Sequence, residues 1–141
     1  EWTLADLAQC GVDPATVRNA PPSPACELMI AYAYDVIHRR HPIGFFGMVH
    51  VLEGASVRGA TRAAHGLQRR LNLPETAFTY LTTHGDLDQD HIQFLRTLID
   101  RIEQPAERAL VIHTSRMFSR LYGDVFRTAA PVAFLTAAEA L

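Results

Sequence analysis

The sequence predicts an all-α fold, an up-and-down helical bundle, on three observations. Apolar residues recur at helical spacing in each long segment. Proline, glycine and small polar caps fall between those segments. No stretch alternates apolar and polar residues with the period of two that a half-buried strand requires. At 141 residues and 48% hydrophobic content, the chain reads as a single helical domain, 1–141, able to bury a core.

Each element has its own signal. Thr3 can cap a short helix over Leu4–Cys10, which Gly11 would stop. Asp13 and Pro14 form an N-cap followed by proline at the first helical position. Ser23 and Pro24 repeat that device for a helix to about Arg40, and Pro42 ends it and opens a helix over about 43–71. This helix is expected to bury Phe46, Val49, Val57, Ala60, Ala64 and Leu67, which recur at helical spacing. Gly54, Ala55, Ser56, Gly59 and Ala60 crowd its middle, where they would admit a close neighbour. Leu73-Pro74 begins a segment through Tyr80, and a further helix runs to about Ile102. Pro105 starts the last long helix, with Val111, Thr114, Phe118, Leu121 and Val125 on one face. The Ala-rich tail after Pro131 is also expected to be helical.

Composition excludes several classes. Net charge is −2 and the basic residues are scattered, so no nucleic-acid partner is expected. No apolar run approaches the ~18 residues that would span a bilayer, so no membrane partner is expected either. Two cysteines, Cys10 and Cys26, make neither a disulfide framework nor a CxxC motif, which points to a reducing, cytoplasmic setting. Walker and nucleophile-elbow motifs are lacking.

The chemistry concentrates in LTTHGDLDQDHIQFLRTLIDRI. His84, Asp88 and His91 stand at i, i+4 and i+7, and the same stripe continues as Leu95, Leu98 and Ile102. At about 100° per residue these positions share one side of a helix, the side its apolar residues would bury. Uncompensated polar groups are expensive there. Imidazole and carboxylate donors a turn apart suit Fe, Mn or Zn; the bland alternative is a buried hydrogen-bonded network.

Glu53 is the second anomaly, since it replaces an apolar residue on the stripe of Phe46, Val49, Ala60, Ala64 and Leu67. It needs a proton, a cation or a metal, and Arg58, Arg62 and Arg116 are the candidate cations. Beside the triplet, Glu53 favours a metal.

Three segments, GMVHVLEGAS, HGDLDQDHIQFL and RMFSRLYGDVF, resemble the iron-containing redox enzymes of the haem-oxygenase-like superfamily, which also includes thiaminase-II-type proteins and pyrroloquinoline-quinone synthase. The similarity runs from about Trp2 to Phe126. Its most specific element is a Glu in a V-L-E-G context followed by His-x-x-x-Asp-x-x-His. The resemblance implies metal ligands at Glu53, His84, Asp88 and His91, in a haem-oxygenase-like bundle. It also implies non-haem iron, one or two ions, with O₂ as co-substrate and a small organic molecule oxidised.

The family's diiron members take a further Glu and His from an earlier Glu-x-x-His helix, and no such motif occurs in these residues. The chain as given is therefore expected to lack its N-terminal helices, or to hold one metal at most. Asp35 and His38 have the right spacing to substitute. A hairpin about Pro42, however, would leave them ~7–12 Å along the axis from the level of Glu53. Glu27 is the better reserve ligand.

Phe46, Val49, His50, Phe118 and Tyr122 are the candidate pocket residues, with His50 one turn from Glu53. His65 and His113 read as structural. No catalytic acid or base is assigned. Haem oxygenase proper is disfavoured because no proximal His can be identified. Two readings stand beside the iron enzyme: a metal-free quinone-synthase- or thiaminase-like enzyme, and a non-catalytic helical ligand-binding or interaction domain. Besides the small-molecule substrate, a homodimer partner stays open.

Overall fold

The computed structural model describes residues 2–138, with side chains through residue 129. The fold is all-α, and no strand occurs among the described residues. Its α-helices are α1 (Trp2–Gln9), α2 (Pro14–Asn19), α3 (Pro24–Asp35), α4 (Phe46–Leu71), α5 (Thr79–Asp100) and α6 (Pro105–Ala138). Two compact units are distinguished: Glu1–Pro21 with Leu52–Thr97, and Pro22–Val51 with Leu98–Leu141.

The first unit contains α1, α2, most of α4 and most of α5. Asp13 caps α2 as expected, accepting from the Ala15 and Thr16 amides at 3.2 and 3.0 Å. Gly11 follows α1 at φ +79°, a conformation open to glycine at little cost. Thr3 is not the cap of α1, which already begins at Trp2; the Trp2 ring packs edge-on against His84 at 5.9 Å. Ala64, Ala77 and Phe78 form a buried cluster with Leu73 and Leu81 around it. Residues 75–78 make a 3₁₀ turn that leads straight into α5. The first amides of a helix have no intrahelical acceptor, and Asp6 on α1 supplies one here. Its carboxylate is buried, takes the Tyr80 amide at 2.7 Å and also accepts from the Thr79 hydroxyl.

On α4 and α5, Thr61 meets Gly85 and Glu53 meets His91. Residue numbers rise on one helix as they fall on the other, so the two run antiparallel. Gly85 permits this approach, since a Cβ there would collide with the Thr61 hydroxyl.

In the second unit Ser23 caps α3 through the Cys26 amide at 3.3 Å. The α-helix expected to reach Arg40 stops at Asp35, and Val36–Arg40 form a π-helical turn. Pro42 disfavours helical backbone at the residue before it, and His41 is extended at φ −157°, ψ 134°. A 3₁₀ turn over Pro42–Phe45 then delays the start of α4 to Phe46. Helix α3 packs on α6, and Val36, Thr114 and Phe118 are the most deeply buried side chains. The Thr114 hydroxyl donates to the Gly44 carbonyl at 2.7 Å. A Cβ at Gly47 would lie 2.6 Å from the Ser115 amide nitrogen, so glycine is required where the chain meets α6.

Candidate metal centre

The side chains of the first unit that could hold a metal ion come from facing turns of α4 and α5. Glu53, Asp88 and His91 each offer one ligand atom, and these atoms lie within 4.8 Å of one another. His91 Nδ1 lies 3.2 Å from Asp88 Oδ1 and 3.7 Å from Glu53 Oε1. A carboxylate can only accept, so Nδ1 carries the proton in this arrangement and donates to Asp88.

Burial differs sharply across the group. Asp88 is 5% exposed, whereas the His91 side chain is 56% exposed. The buried line of α5 therefore runs through Gly85, Asp88 and Leu95, with His84 and His91 on its flank. That flank also carries Tyr80, Leu87 and Phe94, which are 39, 45 and 65% exposed. Sequence periodicity placed both histidines on the buried stripe; the structure places only Asp88 at its centre.

Glu53 is the least satisfied member. Its Oε2 is buried and has no hydrogen-bond partner. Burial pushes its pKa up, the neighbouring His91 pulls it down, and Asp88 pushes it up again. Neither Arg58 nor Arg62, the candidate arginines of the same unit, forms an ion pair with it among the described residues; Arg58 instead donates to the Gly54 carbonyl at 2.8 Å. A buried carboxylate oxygen left open beside a second carboxylate and an imidazole is a donor set that fits a divalent metal.

His84, the fourth residue read from the sequence, stands outside this group. Its Nδ1 is 2.8 Å from the Tyr80 carbonyl, one turn earlier in α5. A carbonyl only accepts, so Nδ1 is the protonated nitrogen and Nε2 keeps its lone pair. The ring is held by the edge of Trp2 and by Tyr80, whose centroid lies 4.1 Å away.

The remaining candidates fall in the second unit. Phe46 lines a cleft of about 350 Å³ with Ile43, Leu98, Arg101, Ile102 and Glu107. Phe118 is packed in the core against Tyr32 at 5.0 Å, and Tyr122 makes an edge contact with Phe126 at 4.9 Å. Val49 is half-buried and His50 exposed. Asp35 pairs with Arg39 at 3.3 Å, and the exposed His38 stacks on Tyr34. Glu27, the reserve ligand, is exposed in the first turn of α3.

Sequence reasoning missed Asp6, Trp2 as a contact of His84, and Gly85. Asp6 sits 73 residues before the hydroxyl it accepts from, and no local pattern reports a pairing of that range.

A family model described as iron-containing redox enzyme matches residues 1–123. No curated protein and no solved structure gives a significant match. The all-α fold agrees with the haem-oxygenase-like class that the sequence resemblance implied. With 123 of its 141 residues matched, the chain belongs to the iron-containing redox enzyme family.

Proposed function

We propose that this chain is a non-haem iron oxidoreductase that uses O₂ to oxidise a small organic substrate, with iron held by Glu53, Asp88 and His91. The observation that carries the reading is the Glu53 carboxylate, buried at Oε2 with no partner and facing His91 and Asp88. A structural carboxylate would be expected to have found a donor. Iron held by these residues would supply the redox chemistry with O₂.

The side chains have separable roles. Asp88 is fixed by burial and presents a carboxylate oxygen to the group. Glu53 supplies the second carboxylate, and its partial burial keeps competing water from that oxygen. His91 turns Nδ1 toward both carboxylates, and as a ligand it would present that nitrogen's lone pair with the ring proton on Nε2. We assign His84 as a fourth ligand: the Tyr80 carbonyl fixes its tautomer with the Nε2 lone pair free, the usual preparation of a ligating histidine. Tyr80, Leu87 and Phe94 give the flank beside the histidines an apolar surface suited to an organic substrate.

The test is anaerobic titration of the protein with Fe(II), followed by exposure to O₂. Saturable binding with at least one iron per chain, and oxygen uptake that needs the bound iron, is the expected result. A protein that binds no iron and consumes no oxygen would overturn the proposal and favour a metal-free relative.

A further inference from the structure

Asp88 lies three residues after Gly85 on α5, about 4.5 Å along the axis at ~1.5 Å per residue, and His91 about 9 Å. Glu53 stands on the opposing helix, so its distance from Asp88 and His91 is set by how closely α4 and α5 approach. One close approach between them is Gly85 against Thr61. A methyl group at residue 85 would occupy the place of the Thr61 hydroxyl, whereas the Thr61 Cβ and backbone nitrogen would both stay at an ordinary 3.5 Å. The obstacle is therefore one atom, the hydroxyl oxygen.

Thr61 cannot easily turn that oxygen away. A β-branched side chain in a helix has few allowed χ1 positions, so there are few ways to move the hydroxyl aside. The alternative is for the helices to separate. Metal–ligand distances tolerate only about ±0.2 Å, so a displacement that packing would absorb is large for a metal site.

We propose that Gly85 is a positioning residue for the metal group: its missing side chain lets α5 close on Thr61, and that closeness holds Glu53 within reach of Asp88 and His91. The inference rests on the iron-binding reading above. Gly85 touches no ligand; it acts through the interhelical distance.

The experiment compares wild type, Gly85→Ala, Thr61→Ala and the double variant by anaerobic Fe(II) titration, with thermal melts of the metal-free proteins. Alanine favours helix over glycine, which helps Gly85→Ala to fold. Gly85→Ala should weaken Fe(II) binding about tenfold or more, the scale of lost support around a ligand. Thr61→Ala alone should bind as wild type. Added to Gly85→Ala it should restore binding, because it removes the one obstructing atom. Should Gly85→Ala alone fail to fold, Thr61→Leu, which presses on the same contact from α4, is titrated in its place and should bind more weakly. Wild type that binds Fe(II) and a folded Gly85→Ala that binds equally well would overturn this inference alone. So would a folded double variant left as weak as the single. Wild type that binds no Fe(II) overturns the iron reading and this inference together.

Discussion

Glu53 Oε1 lies 3.7 Å from His91 Nδ1 across the α4–α5 pair, while the other oxygen of the same carboxylate is buried and unpartnered. One imidazole thus stands against two carboxylates, Glu53 and Asp88. If His91 is protonated, the group carries one positive charge against two negative; if neutral, two negative charges face each other. Either state is poorly compensated on the Glu53 side, and a divalent cation would compensate both carboxylates at once.

The pH dependence of Glu53→Gln follows. Burial raises the Glu53 pKa above its ordinary value of 4.5. A raised carboxyl pKa contributes stability that is fully present below the unfolded value and is lost as pH rises through the folded value. At neutral pH the ionised, partly buried carboxylate therefore costs stability in the metal-free protein. Metal-free Glu53→Gln should melt above wild type at neutral pH, and the gap should close as the pH falls below 4.5. With Fe(II) present the order should reverse. Thermal melts across pH check this, and a metal-free variant that melts lower at neutral pH would make the His91 pair a stabilising ion pair instead.

Asp88→Ala should abolish iron binding and iron-dependent oxygen uptake while the protein stays folded. The imidazole that loses its acceptor is more than half exposed, so water can replace the hydrogen bond. The stability cost should stay within about 1 kcal/mol, no more than the low end of the ~1–3 kcal/mol for stranding a buried polar group. Denaturant titration measures it, and a loss of several kcal/mol would mark Asp88 as part of a structural network.

Much of this was legible in the sequence because it is local. The caps at Asp13 and Ser23 and the break at Pro42 act within a few residues, and the carboxylates Glu53 and Asp88 stand out against apolar stripes. A stripe about 100° wide does not distinguish its centre from its flank, which is why His91 reads as buried and is exposed. Close approach was equally hard to place. The small residues in the middle of α4 suggest close approach there, yet the tight contacts fall at Gly44, Gly47 and Gly85, where a neighbouring element sets the demand. Asp6 beneath α5 depends on tertiary proximity across most of the unit's sequence.

His84 is tested by substitution with phenylalanine. Phenylalanine still offers a ring to Trp2 and Tyr80, but it has no nitrogen to ligate a metal or to bond the Tyr80 carbonyl. If His84 ligates iron, His84→Phe should bind Fe(II) about tenfold or more weakly and keep its melting temperature in the metal-free form. A variant that binds Fe(II) as wild type does would reduce His84 to a packing residue and leave a three-residue site.

Gly47→Ala tests whether glycine shapes the second unit by close approach. An added Cβ would meet the Thr114 hydroxyl and lie 2.6 Å from the Ser115 nitrogen and 2.9 Å from the Thr114 carbonyl carbon. Two of these atoms belong to the backbone of α6 and cannot rotate aside. The clash also falls on Thr114, which is fully buried and whose hydroxyl bonds the Gly44 carbonyl. Overpacking of this kind costs about 1–3 kcal/mol, more than the ~1 kcal/mol that alanine gains over glycine in a helix. Gly59 and Gly66 are the controls on the same helix, since a Cβ at either meets nothing within 4 Å. Their alanine variants should be neutral or stabilised by up to about 1 kcal/mol through propensity alone. Equilibrium denaturation of the three variants gives the comparison. Loss at residue 47 with no loss at 59 and 66 is the expected pattern, and equal behaviour at all three positions would remove close packing as the reason for glycine at position 47.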